Sequence, residues 1–225
     1  MSRAVLFDTE TTGLEPELGH RVIEVAALEL LNDLPTGRHF HALIHPERDI
    51  PEDATRIHGF ILADFAGRPR FGEIVEDLLE FFGDDQLIAH NAPFDFAFLD
   101  AEFGRIGRPA LSATRMIDTL ALAKARFPGM PNSLDALCRR FAIDLSARTT
   151  HNALLDCRLL ADVYVELTGG RQRRLPLATE KATVEVVVYT RAGDRTRRQM
   201  VPSAAELAAH AAFVDRLRSP VWRWT

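Results

Sequence analysis

The chain has 225 residues, 47% of them apolar, and its 27 Lys and Arg against 32 Asp and Glu give a formal net charge of −5. These values predict a globular protein with a sizeable core and argue against a long electrostatic footprint on duplex DNA. No apolar run approaches the ~20 residues that span a bilayer, no secretion signal opens the chain, and the two cysteines fit buried reduced thiols, so we expect a soluble cytoplasmic protein.

The first part of the chain predicts three consecutive strands. Apolar and β-branched residues favour strands at 3–8, 20–31 and 37–45, and "NDLPTG" between the last two consists mainly of turn formers. Because consecutive strands joined by a short turn pair with each other, we expect an antiparallel meander.

The middle of the chain predicts helices around one further strand, "QLIAHN". Strands first, then strand and helix in alternation, indicate the α/β class with a mixed sheet flanked by helices. Helical spacing is found in "PEDATRIHG", "FGEIVEDLLEFF", residues 94 to about 104, "IDTLALAKARF", "SLDALCRRF" with Ser133 as N-cap, and "ALLDCRLLADVYVEL".

The composition changes after Gly169 and Gly170, which we expect to end the last helix of the body. Up to residue 170 the chain carries 16 basic against 27 acidic residues, and beyond it 11 against 5, so an acidic body precedes a basic extension. We therefore predict a domain at 1–170, a linker at 171–182 and an extension at 183–225. The extension contains a β-branched run, "TVEVVVYT", and an Ala-rich amphipathic stretch over 203–217.

Three motifs bring together acids and one histidine: "LFDTETTGL" with Asp8 and Glu10, "HNAPFDFAFL" with Asp95, and "HNALLDCRLL" with His151 and Asp156. A strand has a side-chain period of two, so Asp8 and Glu10 leave the same face, which is unfavourable unless a cation joins them. Converging carboxylates are the oxygen ligands that magnesium and manganese prefer. His151 lies five residues before Asp156, too far to share its helix face, so we expect it in the preceding loop.

Together the motifs resemble those of the DEDDh exonucleases of the ribonuclease-H-like superfamily, over roughly residues 3 to 170. Residues 133–170 are most similar to the epsilon proofreading subunits of bacterial DNA polymerase III. The resemblance implies a ribonuclease-H-like fold and 3′→5′ hydrolysis of DNA with two divalent ions, Mg²⁺ or Mn²⁺. It assigns the ions to Asp8, Glu10, Asp95 and Asp156, and the role of general base to His151.

The resemblance also implies contacts outside the metal site. Four residues match positions that meet the terminal nucleotide: Thr11, Leu14, Asp53 and His58. "QRRLPL" is similar to the peptide by which polymerase subunits dock on the sliding clamp, with Gln172, Leu175 and Leu177 at matching positions. Trp222 and Trp224 resemble the tail that tethers epsilon to the polymerase III alpha subunit. The sequence departs from the family at Asn152, where glycine is usual, and at Cys157, where alanine is usual.

Two other functions remain open from the sequence. The same five residues would serve an exonuclease that acts on RNA or short oligonucleotides. A catalytically idle adaptor between polymerase and clamp would keep the fold, although such a protein is expected to have lost at least one ligand, and none is missing here. A lone Asp-x-Glu is usually a pair of solvated strand charges, and only the combination of the three motifs argues for a site.

Overall fold

The computed structural model describes residues 2–148, 150–169 and 201–217. The chain divides into two compact units, Met1–Leu177 and Ala178–Thr225. The larger unit contains a five-stranded sheet and six of the α-helices that the structure describes. The smaller unit contains one described helix.

The sheet is mixed, as the sequence predicted, with the strand order β3-β2-β1-β4-β5. The first three strands form the antiparallel meander, and β4 and β5 add to β1 in parallel. The central position therefore belongs to β1, the strand that carries Asp8 and Glu10. The strands are β1 (Arg3–Thr11), β2 (Val22–Leu31), β3 (Leu34–Leu43), β4 (Gln86–Ala89) and β5 (Met116–Asp118).

The turn between β2 and β3 is shorter than predicted. Only Asn32 and Asp33 form it, with φ angles of 51° and 65°, and this left-handed pair suits a two-residue hairpin. Strand β3 consequently begins at Leu34, whereas the sequence predicted a start at residue 37. Pro35 is tolerated inside it because β3 is an edge strand, where a missing N–H leaves no partner unsatisfied.

The helices lie close to where apolar spacing predicted them: α1 (Glu52–His58), α2 (Phe71–Phe82), α3 (Ala92–Arg105), α4 (Thr119–Arg126), α5 (Leu134–Arg140) and α6 (Ala153–Leu167). Ser133 caps α5 as predicted, since its side chain accepts a hydrogen bond from the Ala136 N–H. The prediction was wrong at Ile117 and Asp118, which belong to strand β5. The Asp118 side chain accepts from the Leu120 N–H, so α4 begins only after it.

Two buried clusters cover the two faces of the sheet. Phe7 of β1 points into a phenylalanine-rich cluster with α2 and α3, and its neighbour Leu6 points into a second cluster with α5 and α6. By the period of two, Asp8 and Glu10 continue the Leu6 side, toward α6. Both cysteines lie buried and unbonded to each other in this second cluster, as the sequence predicted.

In the smaller unit, the structure describes α7 (Ala204–Val214) inside the predicted stretch 203–217. Ser203 caps it and exchanges hydrogen bonds with Glu206 in a capping box. The predicted linker, the β-branched run, Gln172, Leu175, Leu177, Trp222 and Trp224 all lie outside the described residues. Within the described part of the chain, no helix has both the length and the apolar character needed to cross a membrane.

Candidate active site

A cavity of about 650 Å³ lies at the end of β1, between the starts of α3 and α6. Every residue that the sequence singled out for metal or nucleotide contact in the larger unit lines it. These are Asp8, Glu10, Thr11, Leu14, Asp53, His58, Asp95, His151 and Asp156. Residues separated by more than 140 positions in the chain thus share one space.

Glu10, His151 and Asp156 form the tightest group in this cavity. One ligand-type atom from each lies within 4.8 Å of the other two, a spacing that suits a shared metal ion. Asp156 sits in the first turn of α6 and His151 in the loop before it, as predicted. Glu10 and Asp156 are buried, whereas the His151 side chain is 48% exposed.

Burial and neighbouring acids raise the pKa values of Asp8 and Glu10. Burial and the charges of Asp95 and Glu10 hold the pKa of Asp8 well above its ordinary value. Burial, followed by the charges of Asp156 and Glu24, raises the pKa of Glu10 to about 8. The raised pKa values of Asp8 and Glu10 indicate an excess of negative charge in this part of the cavity. Its oxygen donors therefore fit hard divalent ions.

Asp95 reaches the cavity from the first turn of α3. Its carboxylate is 2% exposed and accepts a hydrogen bond from Thr9 Oγ1 at 2.7 Å. Burial raises the pKa of Asp95 to about 7, although the bond from Thr9 favours the ionised form. Thr9 is one residue out of phase with Asp8, so β1 supplies side chains from both faces: acids on one, and a hydroxyl that orients Asp95 on the other.

Arg148 is a cavity residue that the sequence analysis missed. Its guanidinium binds both carboxylate oxygens of Asp156, from Nε at 2.5 Å and from Nη2 at 2.7 Å. Nη2 also donates to Nδ1 of His151 at 3.1 Å, which requires a neutral imidazole. Burial and the Arg148 charge lower the pKa of His151, while Asp156 opposes them. The motif "RTTHNALLD" contains the arginine, but its spacing to Asp156 does not show that the two side chains meet.

Glu24 on β2 is a second missed residue, and it anchors the loop that carries His151. Its fully buried carboxylate accepts from the Asn152 side chain at 2.8 Å, the Ala153 N–H at 3.0 Å and His41 Nε2 at 2.7 Å. Asn152 also caps α6 by accepting from the Leu155 N–H. The unusual residue after His151 is therefore accommodated: Asn152 has an extended backbone, with φ −150°, and its side chain has two partners. His41 of β3 also belongs to this network.

Replacing Glu24 with glutamine is expected to lower both stability and activity. The amide NH₂ would face donors that the carboxylate now accepts from, which costs about 2 kcal/mol of unfolding free energy. A shift of the His151 loop would lower the rate roughly 10- to 100-fold. Thermal unfolding and single-turnover cleavage of a labelled DNA strand measure the two effects.

Glu29 offers the matched control on the same strand. It is also buried and accepts from Arg3, Arg38 and Thr36, but none of these partners lines the cavity. Glu29→Gln should destabilise the protein and leave the rate per folded molecule unchanged. Equal rate losses in the two variants would mean that Glu24 contributes stability alone.

The predicted nucleotide contacts lie around the rim and floor of the cavity. Leu14 is 74% exposed, and Asp53 on α1 is exposed and paired with Arg56. His58, at the end of α1, is 4% exposed, and its Nε2 has no hydrogen-bond partner among the described residues. A buried, unsatisfied imidazole nitrogen at a cavity surface is available to a ligand. His20 also lines the cavity.

The family profile described as Exonuclease (RNase_T) matches residues 5–164. The chain belongs to the exonuclease family. A Rickettsia conorii protein named DNA polymerase III subunit epsilon is 43% identical over 221 residues, covering 96% of each chain. The Escherichia coli K12 protein of the same name is 35% identical, covering 99% of this chain and 98% of its own. The family predicted from the three motifs, the epsilon-type relationship and the exonuclease activity are confirmed.

Solved structures agree on the fold. Exonuclease X in complex with 5′-overhanging duplex DNA superposes with a TM-score of 0.58 at 25% identity, covering 75% of this chain and 91% of that one. The nuclease domain of 3′hExo, a DEDDh family member bound to rAMP, gives 0.63 at 17% identity, covering 74% and 92%. The predicted α/β, ribonuclease-H-like fold class is confirmed.

Proposed function

We propose that this exonuclease removes nucleotides from the 3′ end of DNA and serves as the proofreading subunit of a bacterial replicative polymerase. One observation carries the proposal: four acids and a histidine from separate elements line a single cavity in a chain of the exonuclease family. The full-length similarity to proteins named DNA polymerase III subunit epsilon supports the choice of DNA and of replication.

The residues fit two divalent ions, Mg²⁺ or Mn²⁺, as the metals. Asp8, Glu10, Asp95 and Asp156 would hold them, with Asp8 shared between the two. Bound ions would supply the charge that activates water and stabilises the departing oxygen in phosphodiester hydrolysis. Without them, the raised pKa values of Glu10 and Asp95 favour the protonated form of these two carboxyls near neutral pH.

His151 is proposed as the general base. Its side chain is half exposed and borders the acids, so it can meet a water at the cavity surface. The lowered pKa keeps the imidazole neutral at physiological pH, and only the neutral ring can accept a proton.

The terminal nucleotide is proposed to lie against Thr11 and Leu14, with Asp53 and His58 as further contacts. An exposed leucine at a cavity rim can pack beside a base without recognising its identity. This arrangement suits an enzyme that must remove any mispaired nucleotide. His58 Nε2 supplies an unused hydrogen-bonding atom at the same surface.

The decisive experiment uses single strands labelled at the 3′ or the 5′ end, with Mg²⁺ or with EDTA. Immediate release of the 3′ label and stepwise shortening of 5′-labelled strands, both abolished by EDTA, are expected. Release of mononucleotides from the 5′ end would contradict the proposed polarity. Cleavage rates on matched DNA and RNA oligomers with a mispaired 3′ end distinguish this proposal from the RNA alternative. An exonuclease that acts on RNA would cleave RNA at least as fast as DNA.

The alpha subunit is proposed as a partner of the extension, and the sliding clamp as a partner of the linker. Replacing Trp222 and Trp224 with alanine is expected to weaken binding to alpha at least tenfold, because buried tryptophans are frequent interface anchors. Replacing Gln172 and Leu175 should weaken binding to the clamp alone. Surface plasmon resonance against each purified partner measures both effects, and nuclease activity on free single strands should stay unchanged. Full affinity of the tryptophan variant for alpha would exclude the tether.

A further inference from the structure

Arg148 lies among the acids that the proposed metals would join. Its side chain is 9% exposed, and it binds Asp156, which is 5% exposed, through two parallel hydrogen bonds. Its charge also acts on the rest of the group: it opposes the rise in the pKa of Glu10, and Asp8 in turn raises the pKa of Arg148. Arg148 is thus a cation of the protein itself that directly contacts one acid of this group.

The same guanidinium donates hydrogen bonds to two groups that the proposed chemistry needs. Both oxygens of Asp156 accept from it, and so does the single lone pair of the neutral His151 ring. A metal ligand and a general base that are both engaged by one arginine cannot act freely. A divalent ion bound by Asp156 would also repel a guanidinium in direct contact with the same carboxylate.

Arg148 also binds a second carboxylate, that of Asp135. Asp135 on α5 accepts from Nη1 at 2.6 Å and is 39% exposed, so it lies nearer to solvent than Asp156. The guanidinium can therefore leave Asp156 without losing its remaining ion pair. The short loop between α5 and α6 that carries Arg148 also carries His151.

We propose that Arg148 is a built-in competitor of the metal, which binds Asp156 and His151 in the metal-free enzyme and keeps only its ion pair with Asp135 when the ion binds. This inference rests on the proposed metal site. Its consequence is that Asp156 has a compensating charge in the metal-free protein, and that metal binding frees the ligand and the base in one movement.

The test compares apparent Mg²⁺ affinity, measured from the rise in melting temperature with Mg²⁺ concentration at pH 8.5, in four full-length proteins. Arg148→Met removes the competitor, and we expect about tenfold tighter Mg²⁺ binding. Arg148→Lys keeps the charge but not the paired hydrogen bonds, so its affinity should lie between Arg148→Met and the wild type. Arg139→Met is the matched control, because Arg139 is 74% exposed and pairs with the same Asp135 without touching Asp156. Its affinity should be unchanged.

Each outcome decides between roles. Weaker Mg²⁺ binding by Arg148→Met would show that the arginine positions Asp156 for the ion, and equal binding would show that it does not compete with the ion; either result would overturn the proposal. If Arg148→Lys had the same Mg²⁺ affinity as the wild type, the positive charge alone would explain the effect. The proposed displacement of the guanidinium would then be overturned. If the wild type gains no stability from Mg²⁺, the proposed metal site itself fails, which is a different result.

A second measurement keeps the proposal falsifiable if Arg148→Met does not fold. The Nε–Hε signal of Arg148 in ¹⁵N-labelled wild-type protein, assigned by its loss in Arg148→Lys, reports on the bond to Asp156. It should move and lose protection from solvent exchange as Mg²⁺ is added. A signal that stays unchanged at saturating Mg²⁺ would mean that the arginine never leaves Asp156.

Discussion

Replacing Asp8 with asparagine is expected to lower the rate of DNA cleavage a thousandfold or more while making the metal-free protein more stable. The loss of rate follows because Asp8 is the proposed shared ligand, and metal assistance of this kind contributes several kcal/mol to transition-state stabilisation. The gain in stability follows because Asp8 is held among like charges that raise its pKa. Removing one of them should stabilise the fold by about 1–2 kcal/mol at pH 9 without metal.

Cleavage of a 5′-labelled strand in Mg²⁺ and thermal unfolding in EDTA give the two readouts on the same preparation. Asp77→Asn is the control, since Asp77 is exposed on α2 and lies outside the cavity. It should change neither quantity. A nearly normal rate for Asp8→Asn would exclude Asp8 as a metal ligand, and a lower melting temperature would mean that its carboxylate is stabilised by contacts in the metal-free state.

The main elements could be predicted because their apolar residues repeat with the right period. Helix α2, for example, coincides with "FGEIVEDLLEFF". Strand β5 could not be predicted, because three residues are too few to show a period. Its pairing partner β4 is also distant in the sequence. The β2–β3 turn depended on which two residues of "NDLPTG" adopt left-handed angles, a choice that its four turn formers leave open.

The residues of the candidate site also differ in whether the sequence could predict them. Asp8, Glu10, Asp95, His151 and Asp156 stand in motifs that resemble a known family, so their shared cavity could be anticipated. The residues that hold them could not. Glu24 meets Asn152 across 128 positions, and Thr9 meets Asp95 across 86. A buried glutamate within the apolar run of β2 was nevertheless a usable signal, since an acid in a core needs a partner.

Raising the pH from 7 to 9 is expected to lower the melting temperature of the metal-free protein. The pKa values of Asp95 and Glu10 lie at about 7 and about 8, against ordinary values of 3.8 and 4.5. The folded state therefore binds more protons than the unfolded state from about pH 4 up to these values, and stability falls as pH rises through them. His58, His90 and His151 have lowered pKa values and act in the opposite direction, but only up to their ordinary value of 6.5.

Mg²⁺ should reverse this dependence, because it binds the ionised carboxylates and displaces their protons. The metal-free protein is expected to lose about 1–3 kcal/mol between pH 7 and 9, a shift of several degrees, whereas the increase that Mg²⁺ produces should be larger at pH 9 than at pH 6. Scanning calorimetry at each pH, with EDTA or Mg²⁺, measures both. Glu10→Gln removes one of the titrating groups and should show a smaller decline. A metal-free melting temperature that rises from pH 7 to 9 would mean that these acids already have their compensating charge within the protein, and a divalent ion would then have little to neutralise.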